Sequence, residues 1–284
     1  MARRKHIAPG ALLFKIFSML FLICGVIMIL FPFYIVIITA FKTQAESAAN
    51  FFAMPSSWTP DNFISVISKA NYFMYFGNSA LITVSSIILI FLLIPMCAYA
   101  IARNMNSRKY FKFVFYFLML AIFVPFQVIM VPMVLYMGWW HLNNQIGLII
   151  MHVVFASAQG VYLMTNYIRS VPPDLEESAS IDGCTTWGSY WRVVLPLVKP
   201  MIATILVLNA LWVWNDFQMP LLILNTSPNT WTLPLFQYNF KTQYSYDYNL
   251  AFASYLIAMV PVMIAYAFAQ KYIVEGLTAG AVKT

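Results

Sequence analysis

Long stretches without a charged side chain constrain this chain more than any other feature. Residues 113–168 contain no Asp, Glu, Lys or Arg over 56 positions, and residues 16–41 contain none over 26. A helix needs roughly 20 uncharged residues to cross a bilayer core about 30 Å thick. Because 62% of the 284 residues are hydrophobic and only 9% are charged, the chain is far more apolar than a soluble domain. The sequence therefore predicts an all-α integral membrane protein.

Six spans account for the uncharged runs, and we treat residues 1–284 as one transmembrane domain. The 56-residue run is too long for one crossing, and it divides at Gly138–Gln145 (GWWHLNNQ), whose Gly, paired Trp and Asn residues are typical of an interfacial turn. The predicted spans are residues 16–41, 77–102, 113–137, 146–168, 201–224 and 250–270. The connections on one side are residues 42–76, 138–145 and 225–249.

Basic residues predict the orientation of these spans. Six spans place both termini on one side of the membrane, and thirteen of the sixteen Lys and Arg residues fall on that side, whereas Lys42, Lys69 and Lys241 fall on the other. Because cytoplasmic loops are enriched in Lys and Arg, we expect both termini in the cytoplasm. The net charge of +7 then reflects topology and contact with anionic membrane lipid, and no nucleic acid partner is expected.

The connection of residues 172–196 is unusually polar, and we refer to it as the acidic hairpin. Four of the nine carboxylates of the chain lie in it. Asp174 followed three positions later by Glu177 predicts a capping box at the start of a short helix. Gly183 predicts a left-handed residue at the end of that helix, and Thr185 or Thr186 predicts the cap of a second helix.

The second helix of the acidic hairpin is predicted to carry an aromatic face. Trp187, Tyr190, Trp191 and Val194 occur at i, i+3, i+4 and i+7, which places them along one side of a helix that Pro196 should end. Such a face needs to be covered, either by other helices of this chain or by another protein. A capped hairpin that merely joins two spans at the membrane surface is the simpler alternative.

The acidic hairpin resembles the EAA loop of bacterial ABC importer permeases, in which Glu-Ala-Ala is followed by a Gly and, further on, by Leu-Pro. Here that pattern is met by Glu177, Ala179, Asp182, Gly183, Leu195 and Pro196, with Ser178 at a position where Ala is common. The segments Trp214–Phe217 (WNDF) and Glu275–Lys283 (EGLTAGAVK) extend the resemblance to carbohydrate-importer permeases of the maltose-transporter type, and specifically to the shorter, G-type subunit.

This resemblance implies a type I ABC importer permease in the bacterial cell membrane, with six spans and a cytoplasmic coupling-helix hairpin between spans 4 and 5. It implies a second permease subunit that forms a heterodimer with this chain, an ABC ATPase dimer, and an extracytoplasmic solute-binding protein that delivers a sugar or oligosaccharide. The ATPase-coupling residues would be Glu177, Ser178, Ala179, Asp182, Gly183, Trp187, Tyr190, Trp191, Leu195 and Pro196.

The energy source is expected to lie outside this chain. No Lys in the sequence is preceded by Gly, so the G-x-x-x-x-G-K-[ST] phosphate-binding loop is absent. We therefore expect a transport subunit without enzymatic activity and without a bound cofactor, while the partner ATPase uses ATP and Mg²⁺.

Asp216 is the single acidic residue within the predicted spans. Because an acid at membrane depth tends to face a cavity or a partner, we expect it to line the translocation path with Asn209, Trp212 and Asn215. The alternative is that Asn215 and Asp216 form a polar contact with the second permease.

The outer connection of residues 225–249 is rich in aromatic residues and poor in charge. Trp231, Phe236 and Tyr238 are candidates for contact with the solute-binding protein. An ordinary aromatic belt at the membrane interface explains the same composition.

Other classes of function find less support. His6, His141 and His152 are isolated, and neither they nor the three cysteines have metal-site spacing, so we expect no metal site and interpret each His as a structural residue. An importer permease for glycerol phosphate or an amino acid stays open as an alternative. An ion-coupled secondary transporter would be expected to show several intramembrane acids and an internal repeat.

Overall fold

The structure, a computed structural model, describes residues 9–69, 71–238, 240 and 247–281. Throughout these residues the regular structure is helical and no strand occurs, which confirms the predicted all-α fold. Several basic residues used to predict the orientation lie outside the described residues, namely Arg3, Arg4, Lys5, Lys241 and Lys283.

The helices follow one another along the chain with short connections. They are α1 (Pro9–Ala40), α2 (Gln44–Ala49), α3 (Asp61–Lys69), α4 (Tyr72–Asn104), α5 (Lys109–Ile122), α6 (Phe126–Trp139), α7 (Gln145–Arg169), α8 (Asp174–Ile181), α9 (Thr186–Ser189), α10 (Leu195–Leu197), α11 (Lys199–Asn215), α12 (Gln218–Leu224), α13 (Leu233–Tyr238) and α14 (Tyr248–Ala281). A π-helical segment (Tyr190–Val194) joins α9 to α10, and a 3₁₀ turn (Pro228–Thr230) precedes α13.

Four segments of the described chain are single helices long and apolar enough to cross a membrane: Phe14–Ala40, Tyr72–Asn104, Gln145–Arg169 and Tyr248–Phe268. Two further candidates are bent pairs, so the described residues hold up to six spans. In one pair α5 and α6 meet at 107°, and in the other the run Thr186–Leu197 meets α11 at 75°.

The third and fifth predicted spans are each divided between two helices. Residues 113–137 fall on α5 and α6, which break at Pro125, because proline lacks an amide hydrogen and disfavours helical backbone in the residue before it. Residues 201–224 fall on α11 and α12, which break at Asp216, where the backbone is extended (φ −67°, ψ 129°).

The chain divides into two compact units, of which the first comprises Met1–Ala70 and Asn239–Ala258. Two amide side chains, Asn249 and Asn62, bind the C-terminal end of α1 and the residues just after it. Asn249 Nδ2 donates to the carbonyl oxygens of Thr39 and Lys42, both at 2.9 Å, and to Ser47 Oγ at 2.9 Å. Asn62 Nδ2 donates to Lys42 O at 2.8 Å. These bonds add acceptor contacts to carbonyl groups at the C-terminal end of α1 and just after it.

The second unit comprises Asn71–Tyr238 and Met259–Thr284, and α4 and α7 form its centre. Ile94 of α4 and Met164 and Ile168 of α7 are fully buried between these helices. Gly160 allows their close approach, since a Cβ atom there would lie 2.7 Å from Ile94 Cδ1. Burial of this apolar face holds α7 firmly, and α7 in turn carries the side chains of one candidate site.

Candidate functional site

The turn of the acidic hairpin forms as the sequence predicts. Gly183 has a left-handed backbone (φ +86°), and it donates its N–H to Ser180 O at 3.0 Å while Cys184 donates to Ala179 O at 2.9 Å. This pair of bonds is a Schellman motif, which ends α8 and reverses the chain. Thr185 then caps α9, since its hydroxyl accepts the N–H of Gly188 at 3.2 Å.

The predicted capping box at Asp174 and Glu177 is wrong. The helix α8 begins at Asp174 itself, and its N-cap residue is Pro173, which has no side-chain hydrogen bond to offer. Asp174 therefore lies inside the first turn, one position too late to cap it. The acids of this turn still complement the positive end of the helix dipole.

Glu176, which the sequence did not single out, anchors the hairpin to α4. Its Oε1 accepts from Arg103 Nε at 2.7 Å, and its Oε2 accepts from Tyr99 Oη at 2.6 Å. Arg103 also donates to Val171 O at 3.2 Å. The side chains of Arg103 and Glu176 are 18% and 15% exposed, so this charge-assisted cluster is largely shielded from water. We refer to it as the α4 anchor.

The second half of the hairpin does not present one uniform aromatic face. Tyr190 is buried, with its ring centroid 5.2 Å from that of Tyr99, and Val194 is fully buried. Trp187 and Trp191 are instead 59% and 44% exposed. The π-helical segment at residues 190–194 changes the angular spacing, and so it separates residues that an α-helix would align. The chain also continues past Pro196 as helix to Leu197, and the bend follows at Val198.

Most of the predicted coupling residues lie on the surface of the hairpin. The exposed ones are Glu177, Ser178, Asp182, Gly183, Trp187, Trp191 and Pro196, whereas Ala179 and Leu195 are half-buried. Ile181, at the end of α8, is 87% exposed. Tyr190 belongs instead to the packing of the hairpin on α4. The hairpin thus exposes three large apolar side chains, Ile181, Trp187 and Trp191, of the kind that are often covered by another molecule.

Asp216 has a partner that the sequence did not reveal. Its Oδ2 lies 3.0 Å from Nε2 of His152, and these side chains are 9% and 1% exposed respectively. Its Oδ1 accepts the N–H of Gln218 at 3.1 Å, at the start of α12. His152 has no neighbouring partner in the sequence, but α7 brings it against a residue 64 positions away, where it is hydrogen-bonded as expected of a structural histidine.

Trp212 and Asn209 line a cavity between α7 and α11, whereas Asn215 and Asp216 do not belong to its lining. The cavity has a volume of about 420 Å³. It is lined by Phe155, Ala156, Gln159, Gly160, Leu163, Ile205, Leu208, Asn209 and Trp212. Asn215 bonds within its own helix, donating to Leu211 O at 2.7 Å. The structure thus divides the four predicted residues between a cavity wall and the helix break.

The aromatic residues of the connection after α12 differ in exposure. The Phe236 ring stacks on Tyr75 of α4 with centroids 4.4 Å apart and is buried, and Trp231 stacks on the same tyrosine at 6.4 Å. Tyr238 is 41% exposed and lies against Phe217. Asn78 reinforces this packing, since its Nδ2 donates to Trp231 O at 3.0 Å. Of the three predicted contact residues, Tyr238 offers the largest exposed fraction.

Comparison with known proteins identifies the class of molecule. The family model described as "binding-protein-dependent transport system inner membrane component" matches residues 95–278. The multiple sugar-binding transport system permease protein MsmG of Streptococcus mutans is 45% identical over 260 residues, which cover 91% of this chain and 94% of that protein. The probable starch degradation products transport system permease protein AmyC of Thermoanaerobacterium thermosulfurigenes is 37% identical over 252 residues, 89% and 91% of the two chains.

A solved structure shares the fold over nearly the full length. A chain of the bacterial ABC transporter involved in import of the acidic polysaccharide alginate superposes with a TM-score of 0.82 at 22% identity, covering 95% of this chain and 99% of that one. The fold and the permease class predicted from the acidic hairpin are thereby confirmed. The chain belongs to the family of binding-protein-dependent transport system inner membrane components.

Proposed function

We propose that this protein is a permease subunit of an ABC importer for a sugar or oligosaccharide and forms half of the translocation pathway. The observation that carries the proposal is the 45% identity, over nearly the whole chain, to a relative named as a multiple sugar-binding transport permease. Other similar relatives are named for diacetylchitobiose and for arabinooligosaccharides. These substrates share the chemistry of glycosidically linked rings rich in hydroxyl groups.

The acidic hairpin is the part of this chain that would receive work from a separate ATPase dimer. Ile181, Trp187 and Trp191 are exposed on the hairpin, and their apolar side chains would be suited to a hydrophobic cleft on a partner. The α4 anchor joins the hairpin to the long helix α4 through Glu176. Movement of the hairpin would therefore also move α4. ATP and Mg²⁺ would be bound by the ATPase, since this sequence has no phosphate-binding loop.

The same proposal fixes the orientation. The hairpin would face the cytoplasm, as would both termini, and the connections that contain α2, α3 and α13 would face the outside. There the exposed Tyr238 is available to a solute-binding protein, while a second permease subunit would complete the pathway beside α7 and α11. The bends at Pro125 and at Val198 supply joints at which helices can tilt as the pathway opens to one side and then the other.

The experiment is reconstitution of the complete importer, meaning this chain with its second permease, ATPase and binding protein, in proteoliposomes. We expect ATP-dependent uptake of at least one radiolabelled probe from a panel of maltotriose, raffinose, arabinotriose and diacetylchitobiose, and stimulation of ATP hydrolysis by the loaded binding protein. Uptake of glycerol 3-phosphate or an amino acid with no sugar transported would contradict the assignment. Uptake driven by an ion gradient without ATP would contradict the importer class.

A further inference from the structure

We propose that Trp212, Asn209 and Gln159 form a subsite in this subunit that binds one ring of the passing sugar, and that His152 and Asp216 hold Trp212 in position. The inference rests on the proposed import of sugar. It goes further by assigning a defined binding surface, with the type of contact each side chain makes, to the cavity between α7 and α11.

The cavity has the size and position of a ligand site. Its volume of about 420 Å³ lies within the range of roughly 300–1,000 Å³ that is usual for small-molecule pockets. Gly160 lets α7 pack closely on Ile94 of α4, which supports the α7 wall of the cavity from behind. A rigid wall holds its polar groups in a fixed arrangement, which favours recognition of a particular ligand shape.

The polar groups of the cavity suit an uncharged polyol. Asn209 donates one N–H to Ile205 O at 2.8 Å, which leaves its second N–H and its side-chain carbonyl oxygen for a ligand. Gln159 is exposed in the cavity wall, and its amide makes no hydrogen bond to the residues that the structure describes. Each amide can both donate and accept, as can each sugar hydroxyl. No Asp, Glu, Lys or Arg lines the cavity, so a phosphate or a zwitterion would find no charged partner there.

Trp212 supplies the apolar part of the subsite. Its side chain is 37% exposed, and the flat indole matches the face of a sugar ring, where C–H groups are presented together. The His152 ring meets the indole at 89° with centroids 5.2 Å apart. A perpendicular contact of this kind limits rotation of the indole, so the position of the imidazole determines the orientation of Trp212.

The imidazole in turn depends on Asp216. His152 is fully buried, and its Nδ1 has no hydrogen-bond partner among the described residues, so the bond from Nε2 to Asp216 is its polar attachment. The other carboxylate oxygen of Asp216 caps the start of α12. One side chain thus stabilises the helix break and, through His152, orients the surface of the subsite. Asp216 and His152 act as positioning residues, since neither lines the cavity.

The test compares several sugars at saturating binding protein. Under that condition delivery no longer limits uptake, so a difference between sugars reports the membrane subunits. With the same panel of maltotriose, raffinose, arabinotriose and diacetylchitobiose, we expect Trp212→Ala to lower the uptake turnover about tenfold and to change the ratios between sugars, and Trp212→Phe to stay within about threefold of wild type.

Trp214→Ala is the matched control on the same helix. Trp214 packs on Phe76 at 5.4 Å and lines a different cavity, which also includes Pro261, so its loss should leave the ratios between sugars unchanged. Gln159→Leu is the second subsite variant, and because this side chain is exposed it should assemble normally and still shift the ratios. Unchanged ratios in both Trp212→Ala and Gln159→Leu would overturn the subsite.

The positioning role has its own measurement. Asp216→Ala and His152→Ala should shift the ratios between sugars in the same direction as Trp212→Ala does. Asp216→Asn should keep the wild-type ratios, because an amide can still cap α12 and bond to the imidazole. A uniform loss for every sugar would overturn this role. Failure of the wild-type importer to transport any sugar would contradict the proposed function, whereas sugar uptake with unshifted ratios in the variants overturns the subsite alone.

Discussion

The turn of the acidic hairpin and the break between α11 and α12 both interrupt helical structure next to a polar cluster, yet they are built differently. The hairpin turn is made by near neighbours, with bonds from Gly183 and Cys184 to residues three and five positions back. The helix break is stabilised by a bond between His152 and Asp216, which lie 64 positions apart. A turn made by near neighbours is visible in the sequence, whereas a long-range pair depends on the packing of the helices.

Gly183→Val tests the turn made by near neighbours, and we expect it to have the largest effect. A β-branched residue in the left-handed region costs about 1–2 kcal/mol, and it should misalign the two short helices of the hairpin. No atom lies within 4 Å of the Cβ position, so backbone strain and not crowding is the cause. The variant should insert normally but lose stimulation of ATP hydrolysis by the loaded binding protein in the reconstituted importer.

Gly183→Asn is the control for this experiment. Asn tolerates the left-handed conformation better than other side chains do, so stimulation should largely persist. Stimulation at the wild-type level in Gly183→Val would show that the turn does not transmit work.

Asp216→Ala tests the helix break that depends on a long-range contact, and its effect should be smaller. The change removes the cap of α12 and leaves a buried imidazole without its hydrogen bond, at a cost of about 1–3 kcal/mol. We expect uptake to fall roughly tenfold while the amount of protein in the membrane stays constant. Uptake at the wild-type rate would show that the bond between Asp216 and His152 does not support transport.

The α4 anchor provides a long-range contact within the hairpin, whose turn is otherwise made by near neighbours. Variants of the anchor therefore separate the two kinds of contact in one element. Arg103→Ala and Glu176→Ala should each reduce coupling several-fold, as charge-assisted bonds of this kind are worth roughly 1.5–3 kcal/mol. The measurement is the number of ATP molecules hydrolysed per sugar imported, which should rise in both variants. The exchanged pair Arg103→Glu with Glu176→Arg should recover part of the coupling, and strict additivity of the single changes would exclude a direct interaction.

Substitution of Glu46 should have the smallest effect. Glu46 forms a capping box with Thr43, which is a second motif made by residues close together in the chain. Hydrogen bonds from Ser56 and from Thr43 lower the pKa of its carboxyl group from 4.5 to about 2. A lowered pKa in the folded state means that the ionised group stabilises the loop above pH 4.5, and that this contribution is lost as the pH falls towards 2.

Hydrogen exchange of residues 43–56, corrected for intrinsic rates, measures this effect between pH 5 and pH 2.5. Protection should decline across that window in wild type. In Glu46→Gln the protection should be lower at pH 5 and nearly independent of pH. An identical pH profile in the two proteins would show that the bonds of Glu46 do not stabilise the loop.

Two possible capping boxes show what residue spacing can and cannot predict. The capping box that the sequence suggested at Asp174 and Glu177 is absent, whereas a true one occurs at Thr43 and Glu46. Both pairs have the required spacing, so the decisive difference is where the helix starts. In α8 the start is displaced by Pro173, and Glu176 is drawn to Arg103 on another helix. Spacing alone cannot reveal a competing partner 73 positions away.

The sequence by itself determined the all-helical membrane fold, the left-handed turn at Gly183 and the permease class, because long uncharged runs, glycine at a helix end and the EAA pattern are local properties of the chain. The tertiary structure alone decided that Tyr190 is buried, that Glu176 anchors the hairpin, and that His152 meets Asp216 beside Trp212. Those outcomes depend on which helix faces pack together, and the energy that selects them is shared among many weak contacts from distant parts of the chain.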